Sequence, residues 1–394
     1  MDFNQKIQEF QNKNILLLQG PVGPFFYKLS KRLQKEKAKI FKLNFNGGDK
    51  IFYPFNADVY RQNFKHFRYF FTRYCQENRI DYIIAYNDCR PLHTLAIKLA
   101  KRLKIGIYIF EEGYLRPNFI TFEKDGVNAN SKMPKNKEFY LNLKLNSLPE
   151  NDIKGSFSIM AFYAFWYWLF AFLLAMFYNN KLHHRSLNPL ECIFWLKSLY
   201  RKYFYQISEK KIKQSLESTL KHKYFVAILQ VHNDTQITKH YKGKNIEHFI
   251  KDALNSFAKN AANNHYLVFK HHPMDRGYKN YGLLIENLSK QHNIQNRVFY
   301  THDNHLPTLL NNALGCVVIN STVGFSALYH HCPVKICGDA FYDIEELSYQ
   351  KPLDLFWKEA QKNKPNQSLC LNLRNYLIHT NQINGNFYKS DFLN

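Results

Sequence analysis

The chain carries no CxxC pair, no P-loop, no GxSxG elbow and no zinc-finger spacing in its 394 residues. Structural zinc, the familiar nucleotide loop and the serine-hydrolase elbow therefore find no support. Seven cysteines, Cys75, Cys89, Cys192, Cys316, Cys332, Cys337 and Cys370, are scattered and odd in number, as expected of reduced thiols in a cytoplasmic protein. The first residues, MDFNQKIQEFQNKN, lack the basic-then-apolar pattern of a signal peptide, which argues against export. Acidic residues are scarce too: 31 Asp and Glu stand against 54 Lys and Arg, a formal charge of +23. Such an excess gathers anionic partners, whether nucleic acid, a nucleotide-linked substrate or an anionic bilayer surface. A nucleic-acid binder would collect its basic residues on one face with aromatics between them, but here Lys and Arg are spread throughout, so no nucleic-acid partner is expected.

What is present is a large α/β pattern rich in aromatics, with 34 Phe and 27 Tyr. The length exceeds that at which single cores usually divide, so two domains are expected. Apolar strands at 15–19, 38–44, 82–85 and 105–113 alternate with loops and helical stretches at 25–37 and 93–103. A second series follows, with strands at 224–231, 266–270, 298–301, 316–320 and 333–337 and helices at 246–262 and 306–312. Repeated βα units imply parallel sheets with polar loops gathered at one edge, and two such Rossmann-like halves facing a cleft form a GT-B-like architecture.

Between the halves, Ser156 to Tyr178 (SFSIMAFYAFWYWLFAFLLAMFY) carries no charge over 23 residues. Its Tyr and Trp content and the following Lys181, His183, His184 and Arg185 favour a membrane-surface helix or hairpin. A buried core helix ranks second. A true span ranks last, because it would put the two halves on opposite sides of a membrane.

The chemistry concentrates at strand ends. The run IGIYIFEEG delivers Glu111, Glu112 and Gly113 to the carboxyl edge of a sheet, where open α/β folds place ligands. Two carboxylates so close in sequence can have one member pushed toward acid/base or nucleophilic work; a solvated acidic turn is the plain alternative. Ser321 and Thr322 stand at a strand-to-helix junction suited to a phosphate or to an ordinary N-cap. Lys270, His271, His272 and Pro273 follow a strand and can neutralise a departing phosphate, or be surface groups. Gln230, His232 and Asp234 form a third polar strand end in the same half.

The runs LQGPVGPF (18–25), NFNGGD (44–49), NDCRP (87–91), FEEGYLRP (110–117) and KHHPMD (270–275) resemble the KpsS-type, LipB-like capsule polysaccharide biosynthesis proteins. The paired-acid-Gly and His-Pro phrases are also similar to motifs of bacterial CMP-sialic acid transferases. The resemblance implies a β-Kdo transferase that uses CMP-Kdo at the cytoplasmic face of the inner membrane and starts a Kdo linker on lysophosphatidylglycerol. Other capsule assembly and export proteins are implied as partners, and a non-catalytic export adaptor is the rival reading. A β-linked donor giving a β-linked product implies retention, hence a carboxylate nucleophile and an acid/base group. On this reading Glu112 and Asp88 are the catalytic carboxylates and Glu111 orients its neighbours. His272 and Lys270 stabilise the leaving CMP phosphate, and Ser321 and Thr322 hold it. Arg90 and Arg116 pair with the Kdo carboxylate or act as salt-bridge partners of the acids. Gly20 and Gly23 let the first loop approach the substrate, or simply make a tight turn. With no DxD-type site and no His/Cys cluster, neither a metal nor a cofactor beyond the CMP-Kdo donor is expected.

The expected domains are an N-terminal Rossmann-like unit (1–150) with the carboxylates, an aromatic and basic helical insert (151–215), a CMP-sugar-binding unit (216–365), and a tail (366–394) with the option of packing back on the first unit.

Overall fold

A computed structural model describes residues 1–153, 155–185, 187–188, 190–243 and 245–393. The strands of the first half are β1 (Asn14–Leu17), β2 (Lys39–Asn44), β3 (Asp58–Val59), β4 (Tyr82–Tyr86), β5 (Gly106–Glu112) and β6 (Phe119–Lys124). Those that follow are β7 (Tyr224–Ile228), β8 (Tyr266–Lys270), β9 (Val298–Thr301), β10 (Gly315–Val318), β11 (Val334–Ile336) and β12 (Gln382–Asn384).

The chain divides into two units: 1–132, 146–191 and 375–394 form the first, and 133–145 with 192–374 the second. This differs from the boundaries read from sequence. Residues 151–215 are not one insert, since the helix Phe157–Leu173 belongs to the first unit and the helix Glu191–Ser208 falls almost wholly in the second. Packing divided the segment: Tyr167 and Ala171 are buried in the first unit, whereas Glu191–Ser208 has no buried residue.

The first unit holds a seven-stranded sheet of order β12-β6-β5-β4-β1-β2-β3. From β3 to β5 it is parallel, and β6 and β12 extend it by antiparallel pairing. Strands buried on both faces read as continuous apolar runs, which is why ILL in β1 and YIIAY in β4 were visible in the sequence. Alternate residues feed two cores, with Leu16, Ile83, Ile107 and Ile109 on one face. Ile15, Leu17, Ile84, Tyr108 and Phe110 pack on the other. The tail strand β12 pairs Gln382 with Thr121 of β6. The second unit has a five-stranded parallel sheet, β11-β10-β7-β8-β9, with Ala227, Phe269 and Val317 in its core. Among the described residues, no helix is long and apolar enough to cross a membrane.

Candidate active site

In the first unit, β4 and β5 run side by side with Tyr86 opposite Phe110, so both strands release their next residues at one edge. Consecutive strand residues point to opposite faces. Glu111 and Glu112 therefore do not form a face-to-face dyad. Glu111 is buried and accepts from Asn87 Nδ2 at 2.8 Å and from the Glu112 backbone N–H at 3.0 Å. Burial pushes its carboxyl up to about 8 against the pull of that N–H, with repulsion from Glu112 and Asp88 adding to the rise. Glu112, half-buried, accepts from the Tyr86 hydroxyl at 3.3 Å.

Asp88 follows β4. Its Oδ2 accepts from Val127 N–H at 3.1 Å and from Asn130 Nδ2 at 3.0 Å, while its Oδ1 is buried with no hydrogen-bond partner among the described residues. A turn at Asn87 makes this possible: Asn87 adopts a φ of 66°, and its side chain accepts from Cys89 N–H at 2.8 Å. Just beyond β5, a Cβ on Gly113 would lie 1.9 Å from the Phe119 carbonyl oxygen, so only glycine fits beside β6.

Arg90 donates to Gln19 Oε1 at 3.2 Å and to the Gly20 carbonyl at 3.3 Å, and its guanidinium stands 4.9 Å from the centre of the Tyr86 ring. Arg116 is exposed and donates to the Gly113 carbonyl at 3.2 Å. Among the described residues, neither arginine makes an ion pair with a carboxylate. At longer range Arg90 is favoured by the charge of Glu111, and Arg116 pulls the Glu111 carboxyl down, so both cations act on this acid without a direct ion pair.

The sequence reading missed His93, His183, His184, Arg185 and Tyr388 as neighbours of this edge. His93 bonds through Nδ1 to the Asn87 carbonyl at 2.8 Å and leaves Nε2 buried with no hydrogen-bond partner among the described residues; burial, aided by Arg90, pulls it down to about 3. Burial also lowers His183, to about 4, and His184, whose neighbours in charge include Arg90 and His93. Tyr388 lies within the electrostatic reach of Glu112, Arg116 and Arg185. Within the run 181–185, Lys181 and Arg185 are exposed, as a lipid interface requires, but the two histidines between them turn inward. Their signal in the sequence was only their proximity to the aromatic helix.

Gly20 and Gly23 have no room for a side chain. A Cβ on Gly20 would lie 2.9 Å from the Phe26 ring, and one on Gly23, whose φ is 104°, 2.6 Å from the Tyr163 ring. The space that a side chain would take is filled by aromatic rings, which is the packing that calls for glycine at both positions.

In the second unit, the carboxyl edge gathers the remaining candidates. Ser321 caps the helix Thr322–Tyr329 by accepting from Val323 N–H at 3.2 Å; Ser321 and Thr322 are half-buried. Gln230 joins two strand ends, its Nε2 donating to Asn320 Oδ1 and to Asp234 Oδ2, each at 3.1 Å. His272 is half-buried, and its Nδ1 accepts from Met274 N–H at 3.1 Å. Lys270 departs from the expected role: its ammonium is buried and donates to the carbonyls of His302 at 2.6 Å and His271 at 3.2 Å, and burial lowers it to about 8. It braces β8 against β9 from within, whereas a phosphate would need it outside. An unforeseen pair joins this edge, His232 Nδ1 to Asp275 Oδ1 at 2.5 Å, with Asp275 fully buried. Among the described residues, no group of three or more His, Cys, Asp or Glu side chains could hold a metal ion.

A family model described as "Capsule polysaccharide biosynthesis protein" matches residues 81–388, well over half of the chain and inclusive of both edges. The chain belongs to the capsule polysaccharide biosynthesis family. Within that family it is 38% identical over 379 residues to the capsule polysaccharide export protein KpsS of Escherichia coli, covering 95% of this chain and 97% of that one. It is 37% identical over 391 residues to the capsule polysaccharide modification protein LipB of Neisseria meningitidis serogroup A, covering 96% and 93%. A solved structure, the Thermosulfurimonas dismutans KpsC beta Kdo 2,7 transferase, aligns over 91% of this chain and 89% of that one, with a TM-score of 0.41 and 14% identity.

Proposed function

We propose that the chain transfers Kdo from CMP-Kdo to a lysophosphatidylglycerol-type acceptor, beginning the β-Kdo linker of a capsule, at the inner face of the inner membrane. The observation that carries this reading is the edge of the first sheet, where three carboxylates, Asp88, Glu111 and Glu112, sit near Arg90 and Arg116, which make no ion pair with a carboxylate among the described residues. A sugar that itself bears a carboxylate suits Arg90 and Arg116. Glu112 is the half-buried acid of the three and is the one that meets the sugar; Asp88, whose Oδ1 has no hydrogen-bond partner among the described residues, is its partner in the double displacement. One carboxylate attacks the anomeric carbon as the bond to the CMP phosphate breaks and CMP departs. The acceptor hydroxyl then gives its proton to the other, attacks the same carbon and displaces the enzyme carboxylate, leaving the configuration retained. Glu111, protonated near neutral pH, keeps a further like charge away from this pair. On the second unit, His272, Ser321 and Thr322 take the CMP phosphate.

The test is CMP release from CMP-Kdo with a lysophospholipid. Glu112→Gln and Asp88→Asn are each expected to lower kcat by about 10²-fold or more. If both variants keep wild-type rates, the assignment of the carboxylates is wrong. Absence of CMP release by wild type with any lipid or Kdo-ended acceptor would favour an export adaptor.

A further inference from the structure

The helix Phe157–Leu173 has two unlike faces. Phe157, Phe162, Phe165, Phe172 and Leu173 are exposed on one. The other presses into the helix Gly47–Phe52, where a Cβ on Gly47 would lie 2.1 Å from the Phe170 carbonyl oxygen and one on Gly48 2.6 Å from the Tyr167 ring. The two glycines of the NGGD phrase thus form a socket for this helix.

Tyr167, 4% exposed, carries a hydroxyl into the polar floor of that socket. It donates to Asp49 Oδ1 at 2.9 Å and accepts from Asn46 Nδ2 at 2.7 Å and Gln19 Nε2 at 3.1 Å. With its Nε2 held, Gln19 turns its Oε1 to Arg90 at 3.2 Å. Arg90 in turn stacks on Tyr86, which donates to Glu112. One continuous set of contacts, all inside the first unit, therefore links the exposed aromatic face to the acidic edge.

What covers that face follows from charge and residue type. The segment 156–178 is uncharged and rich in Trp, Tyr and Phe, exposed Lys181 and Arg185 follow it, and the chain as a whole carries +23. Aromatic and cationic groups together fit the headgroup boundary of an anionic bilayer. We propose that the helix Phe157–Leu173 lies on an anionic phospholipid surface and that Tyr167 is the positioning residue through which this contact sets Gln19 and Arg90 beside Glu112. The proposal deepens the reading of a lipid-borne acceptor and rests on it.

Hydrogen–deuterium exchange of the full chain, with vesicles of phosphatidylcholine and phosphatidylglycerol or of phosphatidylcholine alone, tests it. With phosphatidylglycerol present, exchange should slow several-fold at 157–177 and also at 18–25 and 86–93. Tyr167→Phe keeps the ring over Gly48 but removes the hydroxyl. It should bind the same vesicles within about twofold and protect 157–177, yet lose the vesicle-dependent change at 18–25 and 86–93. A fold defect would slow or speed exchange with and without vesicles alike; should Tyr167→Phe show that, Gln19→Met tests the same link. The proposal is overturned if wild type ignores phosphatidylglycerol vesicles, if it binds them with no change at 18–25 and 86–93, or if the hydroxyl-free variant keeps that change. Protection of 157–177 by protein concentration alone would show a second copy on the face and also overturn it. No nucleotide sugar enters this experiment, so its failure is distinct from failure of the transfer assay.

Discussion

At Glu111 a carboxyl sits at the end of a strand with its water removed and two N–H donors in place, and burial outweighs those donors. A carboxyl raised in the folded state binds a proton that the unfolded chain has already released. Its contribution to stability is therefore full below pH 4.5 and is lost as pH rises to about 8. Glu123, buried beside Tyr114 and raised to about 7, acts in the same direction. Glu111→Gln should thus lessen the fall in Tm between pH 5 and pH 8 by on the order of a few degrees; an unchanged pH profile would mean that Glu111 is not held protonated. The histidines work the other way. His93 and His271, each lowered by burial to about 3, contribute stability that is present above pH 6.5 and lost as pH falls toward 3. Glu111 and Glu112 were legible in the sequence because an apolar run ended on them. Their separation onto opposite faces follows from strand geometry, whereas the burial that distinguishes them is set by tertiary packing that the local sequence does not announce.

Among the elements, the short helix Gly47–Phe52 has no counterpart in the sequence reading, and two glycines in six residues give it little helical propensity. Its Asn46 cap, which accepts from Asp49 N–H at 2.9 Å, and its close packing against Phe157–Leu173 hold it instead. Gly48→Ala is expected to destabilise the protein by about 1–3 kcal/mol, since the Tyr167 ring has no room to move without breaking its hydrogen bonds. Gly113→Ala should cost as much or more, because the obstructing atom is the backbone of β6. Denaturant midpoints with unchanged slopes would check both. The strand β12 could not be read from the sequence: Gln382 pairs with Thr121 and accepts from Tyr114 N–H at 2.9 Å, contacts made across more than half of the chain. Parallel βα units, in contrast, announce themselves within about 30 residues.

For the whole molecule, the proposed membrane contact draws on two separable features, the +23 charge and the uncharged aromatic segment 156–178. Binding to phosphatidylglycerol vesicles should weaken several-fold as ionic strength rises from about 0.05 M to about 0.5 M, where screening shortens the reach of each charge. Phe162→Ser with Phe165→Ser should weaken it at every salt concentration, as co-sedimentation would show. Two α/β units were legible because their strands are apolar runs, but the division of 151–215 between them was not, since no periodicity says which unit a helix will pack on. Mass spectrometry of the lipid recovered after incubation with CMP-Kdo tests the central claim most directly. Wild-type protein should yield a lysophosphatidylglycerol bearing Kdo with an equal amount of free CMP, and Glu112→Gln should yield about 10²-fold less. Unmodified lipid with intact CMP-Kdo after wild-type incubation would contradict the account.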